Sequence, residues 1–139
     1  MKLFQIFVAF VVLFAGYFGF MVYSVPPGPQ MHWASKLALG EFMQRSKAHD
    51  YTGARQMLSR RLQSSTSAQT LAQQWKAFEA AHGAIKNWTG ANGGRVSIWP
   101  QYVIHKHTVS GYKSGSGLVT TRLVPEGKNW RIDQLTIKP

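Results

Sequence analysis

Residues 79–88, EAAHGAIKNW, mark the point where the sequence changes from a helical to an alternating pattern. Upstream, apolar side chains recur every three or four residues, as on one face of an α-helix. They are Leu71, Trp75 and Phe78. Gly83, directly after His82, is typical of a helix C-cap, because glycine adopts a positive φ without strain. Downstream, apolar and polar residues alternate, which predicts strands. Helices followed by strands indicate an α+β domain.

Four alternating segments follow this point. They are residues 84–88, residues 95–111 with an interruption at Pro100, residues 117–125 and residues 129–139. A tight turn is predicted between the last two at Pro125, Glu126 and Gly127, because proline fixes φ and glycine is free. The apolar positions of the last segment change phase by one residue. A β-bulge near Asp133 and Gln134 is therefore predicted, and it would bend the strand.

Three helices are predicted before Gly83. The apolar side of the first, from Trp33 to about His49, is formed by Trp33, Leu37, Phe42 and Met43. Asp50 is placed to cap the second, whose apolar side is formed by Ala54, Met57, Leu58 and Leu62. Thr66 with Gln69 predicts a capping box at the start of the third. Residues 33–139 are thus predicted to pack three helices on the concave face of a curved antiparallel sheet of about four strands.

The arrangement of these elements resembles small bacterial domains of the NTF2-like, or cystatin-like cone, superfamily. The matching residues are Asp50, Tyr51, Ala54, Leu58, Ser59, Trp75, Phe78, Gly83, Gly127, Trp130 and Ile132. The resemblance covers nearly all of the domain and implies the cone fold. It does not imply one function, because the superfamily contains enzymes, secretion-channel components and assembly subunits.

An apolar run without charge, Leu3 to Val25, precedes the domain. As a helix it would reach roughly 34 Å, enough for a hydrocarbon core of about 30 Å. We predict a transmembrane anchor over residues 1–25. A cleaved signal peptide is the less favoured alternative, because the run is longer than a signal's apolar stretch. Gly16, Gly19 and Tyr17 are the predicted helix contacts within the membrane. Residues 26–32, rich in proline, are predicted to form a stiff spacer.

The predicted location is the inner (cytoplasmic) membrane of a bacterium, crossed once. Lys2 is the only charge before the apolar run. We predict that the amino end is cytoplasmic and the domain periplasmic, since long domains are translocated largely regardless of their own charge. The chain has no cysteine, which is compatible with either compartment.

The five carboxylates offer little for general acid–base chemistry. Asp50 is expected to cap a helix, Glu126 to lie in a turn, and Glu41 and Glu79 on solvated helix faces. Asp133 is the remaining candidate base, and Arg131 is its expected ion-pair partner. No phosphate-binding loop or nucleophile motif is present. We therefore predict no catalytic residues and no cofactor.

The segment His105-Lys106-His107 places two imidazoles on one face of a strand, a spacing that allows two ligands to share one metal ion. No third ligand is evident nearby, and Lys106 adds electrostatic repulsion. We therefore favour solvent-facing histidines and predict no metal site.

The domain is strongly basic, since the chain without Lys2 holds 15 Lys and Arg against 5 acids. Such a balance attracts anionic lipid headgroups, nucleic acid or an acidic protein. Nucleic acid is the least favoured, because no strand carries a basic run with interleaved aromatic residues. The residues predicted to contact a partner or lipid are Arg55, Arg60, Arg61, Lys106 and Lys113.

Three functions are compatible with these features. We favour a non-catalytic, single-pass accessory or assembly subunit of a larger membrane protein complex, with anionic lipid headgroups as additional contacts. The first alternative is a periplasmic scaffold component of a secretion channel. The second is a small-ligand-binding or enzymatic domain, which would need a cavity lined by aromatic rings. Those rings are Trp75, Phe78, Trp99, Tyr102 and Trp130.

Overall fold

The computed structural model describes residues 27–89 and 95–139, and within them the chain forms an α+β domain. The helices are α1 (Pro27–Lys47), α2 (Tyr51–Gln56), α3 (Arg60–Ser65) and α4 (Ala68–His82). The strands are β1 (Ile85–Trp88), β2 (Arg95–Ile98), β3 (Gln101–Gly111), β4 (Ser116–Glu126) and β5 (Asn129–Lys138). The predicted fold class is confirmed at this level. The predicted helix count is wrong in one place, because two short helices, α2 and α3, replace the second helix.

The five strands form one antiparallel sheet that is four strands wide. Its path is β1-β3-β4-β5, and β2 also pairs with β3. Trp88 of β1 is opposite Val109, and Arg95 of β2 is opposite Ile104. Because β4 occupies the other edge of β3, β1 and β2 lie one after the other on the same edge. The sheet is therefore four strands wide, as predicted, and β1 and β2 together fill the one edge position beside β3.

Both hairpin turns at one end of this sheet contain two residues. Trp99 and Pro100 connect β2 to β3, so the long predicted strand 95–111 folds back on itself there. The β4–β5 turn is Gly127 with Lys128, and Gly127 has a φ of 61°. The predicted turn began two residues too early, since Pro125 and Glu126 continue β4. Proline is accommodated there because the pairing of β4 with β3 ends at Leu123, so on that side Pro125 is at a free edge.

The predicted bulge in β5 is confirmed and lies at Asp133. Ile132 is opposite Leu123, whereas Gln134 is opposite Arg122, so Asp133 has no partner in the ladder. This extra residue keeps Ile132 and Leu135 on the core side although they are three positions apart.

Helix α1 begins earlier than expected, and of its four predicted core residues Phe42 and Met43 are buried. The spacer predicted at residues 26–32 is wrong from Pro27 onward, where the helix begins. Prolines are tolerated in a first helical turn because its N–H groups have no partner within the helix. Trp33 and Leu37, predicted to face the core, are exposed. The buried positions are Met31, Ser35, Leu39, Phe42, Met43 and Ser46.

Two of the three predicted helix caps are confirmed. The Asp50 carboxylate accepts the N–H of Gly53 at 2.9 Å, and Gly83 closes α4 with a φ of 79°. The predicted cap at Thr66 is wrong by one residue. Ser67 is the N-cap, and its hydroxyl accepts the N–H of Thr70 at 3.0 Å.

The interruption between α2 and α3 adds a short segment to the free edge of β5. The N–H of Ile132 donates to Met57, and the N–H of Ser59 donates to Ile132. Ser59 then caps α3 through its hydroxyl. These backbone bonds replace the helical bonds that an uninterrupted second helix would have made. This explains why the apolar spacing alone predicted one helix where there are two.

The core lies between the helices and the inner face of the sheet. Its fully buried large side chains include Phe42, Leu58, Trp75, Phe78 and Leu123. Among the helices of residues 27–89, none is long and apolar enough to cross a membrane. The predicted anchor, residues 1–25 with Gly16, Tyr17 and Gly19, lies outside the described residues.

Candidate functional site

Asp133, the one candidate base, is itself buried and is held by an exposed and a half-buried arginine. Its carboxylate accepts hydrogen bonds from Ser59 at 2.9 Å, from Arg61 at 3.0 Å and from Arg122. Hydrogen bonding to Arg61 above all lowers the pKa of Asp133 to about 2, against the effect of burial. Arg131, the predicted partner, instead donates to the carbonyl of Gln56. A carboxylate bound to two guanidinium groups is a weak base, so this cluster suits a structural role.

The other four carboxylates also have local partners. Glu41 and Asp50 both accept hydrogen bonds from Arg45. Glu79 contacts His49 at 2.7 Å, and Glu126 accepts the N–H of Arg60 at 3.0 Å. Each acid of the sequence therefore has a role in a helix cap, an ion pair or a backbone contact.

The arginines predicted to contact a partner differ in how free they are. Arg55 donates to the carbonyls of Gln63 and Thr66, and so fastens the connection between α3 and α4. Arg61 is exposed but bound to Asp133. Arg60 is exposed, its backbone N–H donates to Glu126, and its side chain has no hydrogen bond to another described residue. Of the three, Arg60 has the side chain best placed to meet a partner.

Lys106 and Lys113 lie on the sheet, away from the three arginines. Lys106 is exposed at the middle of β3, on the face opposite the core. Lys113 is exposed in the β3–β4 hairpin, where its backbone N–H donates to the carbonyl of His82. The five predicted contact residues thus lie on several elements and do not form one cluster.

We call the face of the sheet opposite the core the outer face. Strand alternation and register place on it the residues Arg95, Tyr102, Ile104, Lys106, Thr108, Leu118, Thr120, Arg122, Gln134, Thr136 and Lys138. These residues include four cations, the same alternation and register add Arg131 and the carboxylate of Glu126 near the β4–β5 turn, and Asp133 reaches Arg122 from the adjacent bulge. Of the four cations in the list, sequence reasoning found Lys106 but missed Arg95, Arg122 and Lys138. Their positions in the period-two pattern, in phase with Lys106 across the sheet, are the signal that could have identified them.

His105 and His107 face the core, so the prediction that they are exposed to solvent is wrong. Both are buried, while Lys106 between them is exposed. Their ring centroids lie 6.0 Å apart, and the ring of His32 on α1 lies 5.0 Å from that of His105. The strand alternation that pairs the two imidazoles also places them on the same side as Val103 and Val109.

Local hydrogen bonds determine where each buried imidazole carries its proton. The Ser35 hydroxyl donates to the carbonyl of His32, so at 2.9 Å it accepts from Nε2 of His105. Nδ1 of His107 donates to the carbonyl of Thr89 at 2.5 Å. Within the described residues, Nδ1 of His105 and Nε2 of His107 are therefore buried acceptors without a hydrogen-bond partner, and the hydroxyl of Thr121, opposite His105, is also without one.

These histidines are uncharged and do not form a metal centre in the described part of the chain. Burial lowers the pKa of His105 to about 4, with further contributions from His32, His107 and Lys36. Burial also lowers the pKa of His107, although its bond to Thr89 opposes the shift. No group of three His, Cys, Asp or Glu side chains within residues 27–89 and 95–139 could hold a metal ion.

The aromatic residues proposed to line a ligand cavity are dispersed. Trp75 and Phe78 pack edge to face at 5.7 Å within the core. Trp99 is exposed at a hairpin turn, and Tyr102 lies on the outer face 5.9 Å from the guanidinium of Arg122. Trp130 is half-buried at the start of β5. The five rings therefore do not line a common cavity.

Comparison of the chain with protein-family models, curated proteins and solved structures finds no match. Membership of the NTF2-like superfamily therefore stays a prediction that depends on the sequence pattern given above.

Proposed function

We propose that this protein is a non-catalytic, single-pass accessory or assembly subunit of a larger bacterial membrane protein complex. Its apolar N-terminal segment serves as the anchor, and its basic domain docks on an anionic surface of the partner. The outer face of the sheet, with Lys106 near its centre, is the docking surface.

The distribution of charge carries this proposal. Among the described residues, Arg45, Arg61 and Arg122 form the ion pairs with carboxylates, and twelve further Lys and Arg residues form none. A surface of unpaired cations raises the local concentration of an anionic partner and accelerates its association. The carboxylates are engaged in structural contacts, which favours a binding role over general-base catalysis.

Native purification of the tagged full chain from membranes tests this proposal. We expect the chain to migrate in an assembly larger than its monomer at low salt, and the assembly to dissociate as salt screens the contacts. Lys106→Glu should lower the salt concentration at which it dissociates, because the substitution reverses one charge at the centre of the outer face.

Lys76→Glu is the matched control. Lys76 is exposed on α4, away from the sheet, and the substitution makes the same change in net charge. Equal effects of the two variants would assign the salt dependence to net charge and would contradict docking through the outer face. Migration of the wild-type chain only as a free monomer would contradict the proposed function as a whole.

A further inference from the structure

Three parts of the fold meet at one end of the domain. Antiparallel register puts the start of β3, the end of β4 and the start of β5 at the same end of the sheet. This end therefore carries the Trp99–Pro100 turn and the Gly127–Lys128 turn. The hairpin of Tyr112 is at the opposite end, about 33 Å away along β3 at roughly 3.3 Å per residue.

Helix α1 starts at this same end. Ser35, in the first half of the helix, bonds His105 in the first half of β3. Lys47 at its last residue donates to the carbonyl of Lys86, next to Ile85, which is opposite Gly111 at the far end of β3. The helix thus runs away from the two turns, and the chain preceding Pro27 joins the domain beside them. We call this the anchor-side end.

The anchor-side end exposes most of the large apolar side chains found on the described surface. On α1, Trp33 is 63% exposed, and Leu37, which is 59% exposed, lines a groove with Lys128 and Trp130 of the β4–β5 hairpin. At the β2–β3 turn, Ile98 is 55% and Trp99 92% exposed. Two other large apolar side chains are exposed elsewhere, Tyr112 at the opposite end and Leu118 on the outer face. Clustering of exposed apolar side chains on one surface indicates contact with another molecule or a membrane.

Cations accompany these apolar residues. Lys36 next to Leu37 and Lys128 in the β4–β5 turn are both exposed. Two carboxylates lie near these residues, and both are engaged: Glu126 accepts the N–H of Arg60, and Glu41, one turn after Leu37, is paired with Arg45. Tryptophan side chains favour the interface between lipid and water, and exposed Lys and Arg attract anionic headgroups. Together they match the chemistry of an anionic bilayer surface better than that of an apolar protein groove.

We propose that the anchor-side end lies in the headgroup region of an anionic bilayer, with Trp33 and Trp99 inserted at the interface. This inference depends on the anchor of the proposed function. The uncharged apolar run ends at Val25, two residues before α1 begins, so no long linker separates a membrane span from this surface. The contact would fix the orientation of the domain and leave the outer face of the sheet available to a partner.

Site-specific spin labelling tests the proposal, because the full chain contains no cysteine. Trp33→Cys and Trp99→Cys, each labelled with a nitroxide, are placed in nanodiscs that contain phosphatidylglycerol. We expect both labels to be more accessible to oxygen, which dissolves in lipid, than to a water-soluble nickel chelate. Tyr112→Cys is the matched control, since Tyr112 is 67% exposed at the opposite end. Its label should favour the chelate.

Two results would overturn the inference. A label at position 99 as accessible to the chelate as the label at position 112 would place the anchor-side end in water. Labels at 33 and 99 protected from both reagents would show that protein, a second copy or a partner, covers this surface. Failure of the anchor is distinguished by alkaline carbonate: release of the wild-type chain from membranes would contradict the anchor and with it both proposals.

Discussion

At the scale of single residues, the buried polar groups show why this basic domain tolerates charge and titratable groups inside it. Asp133 is compensated by two arginines, and His105 and His107 avoid the cost of burial by remaining neutral. Protonation of either group at low pH destabilises the folded domain. Protonation of Asp133 breaks its ion pairs, and protonation of His105 places an uncompensated charge beside His32, His107 and Lys36.

We predict that His105 makes the domain sensitive to mild acid. The pKa of His105 is about 4 in the folded protein and 6.5 when exposed, so the unfolded chain binds the proton first as the pH falls. Protonation of His105 therefore has no effect on the free energy of unfolding above pH 6.5. As the pH falls from 6.5 toward 4, protonation of the unfolded chain lowers this free energy progressively. The loss amounts to roughly 3 kcal/mol at 1.36 kcal/mol per unit of pKa.

Urea unfolding of the full chain in detergent, followed by tryptophan fluorescence across this pH range, measures the effect. His105→Gln should show a shallower loss of stability, because the amide can still donate to Ser35 but does not titrate. His49→Asn serves as the control for loss of an exposed histidine, here together with its contact to Glu79, and asparagine suits the positive φ of 58° at this position. Equal slopes in wild type and His105→Gln would contradict the prediction.

At the scale of elements, glycines allow the helices and the sheet to approach closely. A Cβ at Gly111 of β3 would overlap the carbonyl of His82 at the end of α4. A Cβ at Gly117 of β4 would lie 2.8 Å from the ring of Phe78. Both glycines are therefore required where α4 packs on the sheet. By contrast, a Cβ at Gly40 of α1 would meet no atom within 4 Å.

We predict opposite effects for two substitutions that make the same chemical change. Gly111→Ala should lower the free energy of unfolding by about 1–3 kcal/mol, because α4 must move away from β3. Gly40→Ala should raise it by about 0.5–1 kcal/mol, because alanine favours the helix and has room. The transition midpoints of both variants in urea measure the effects. Destabilisation by Gly40→Ala would show that the outward face of α1 is already covered.

At the scale of the whole molecule, an excess of positive charge opposes folding. The described residues contain 15 Lys and Arg against 5 acids, and the ion pairs involve three of the arginines. The remaining cations repel one another across a domain whose size is comparable with the Debye length at low salt, about 30 Å at 0.01 M.

We predict that moderate salt stabilises this domain. Raising the ionic strength from about 0.01 M to about 0.15 M shortens the Debye length to about 8 Å and should raise the melting temperature, since repulsion is screened more than the short-range ion pairs. Circular dichroism at the two salt concentrations checks this. Lys106→Glu should make the salt-induced increase in melting temperature smaller, because it replaces a repelling cation with an anion. A melting temperature that falls with salt would show that the ion pairs of Arg45, Arg61 and Arg122 outweigh the repulsion.

Local patterns in the sequence determined the elements that depend on neighbouring residues. The switch at Gly83, the cap at Asp50, the bulge at Asp133 and the α+β class were predicted because periodicity, capping and turn chemistry act over a few residues. Where two local solutions compete, the prediction was displaced by a residue or two. Thr66 and Ser67 both suit a helix cap, and only the packing of α4 selects Ser67.

Tertiary structure decided which faces are buried and which charges are free. Trp33 and Leu37 have helical spacing, as do Met31, Ser35 and Leu39, and only the position of the sheet determines that the second set is buried. The pairing of Asp133 with Arg61 and Arg122, and the burial of His105, depend on residues distant in the chain. Sequence period fixes which side chains share a face. Which of the faces is buried follows from long-range packing, because burial is a property of the assembled elements.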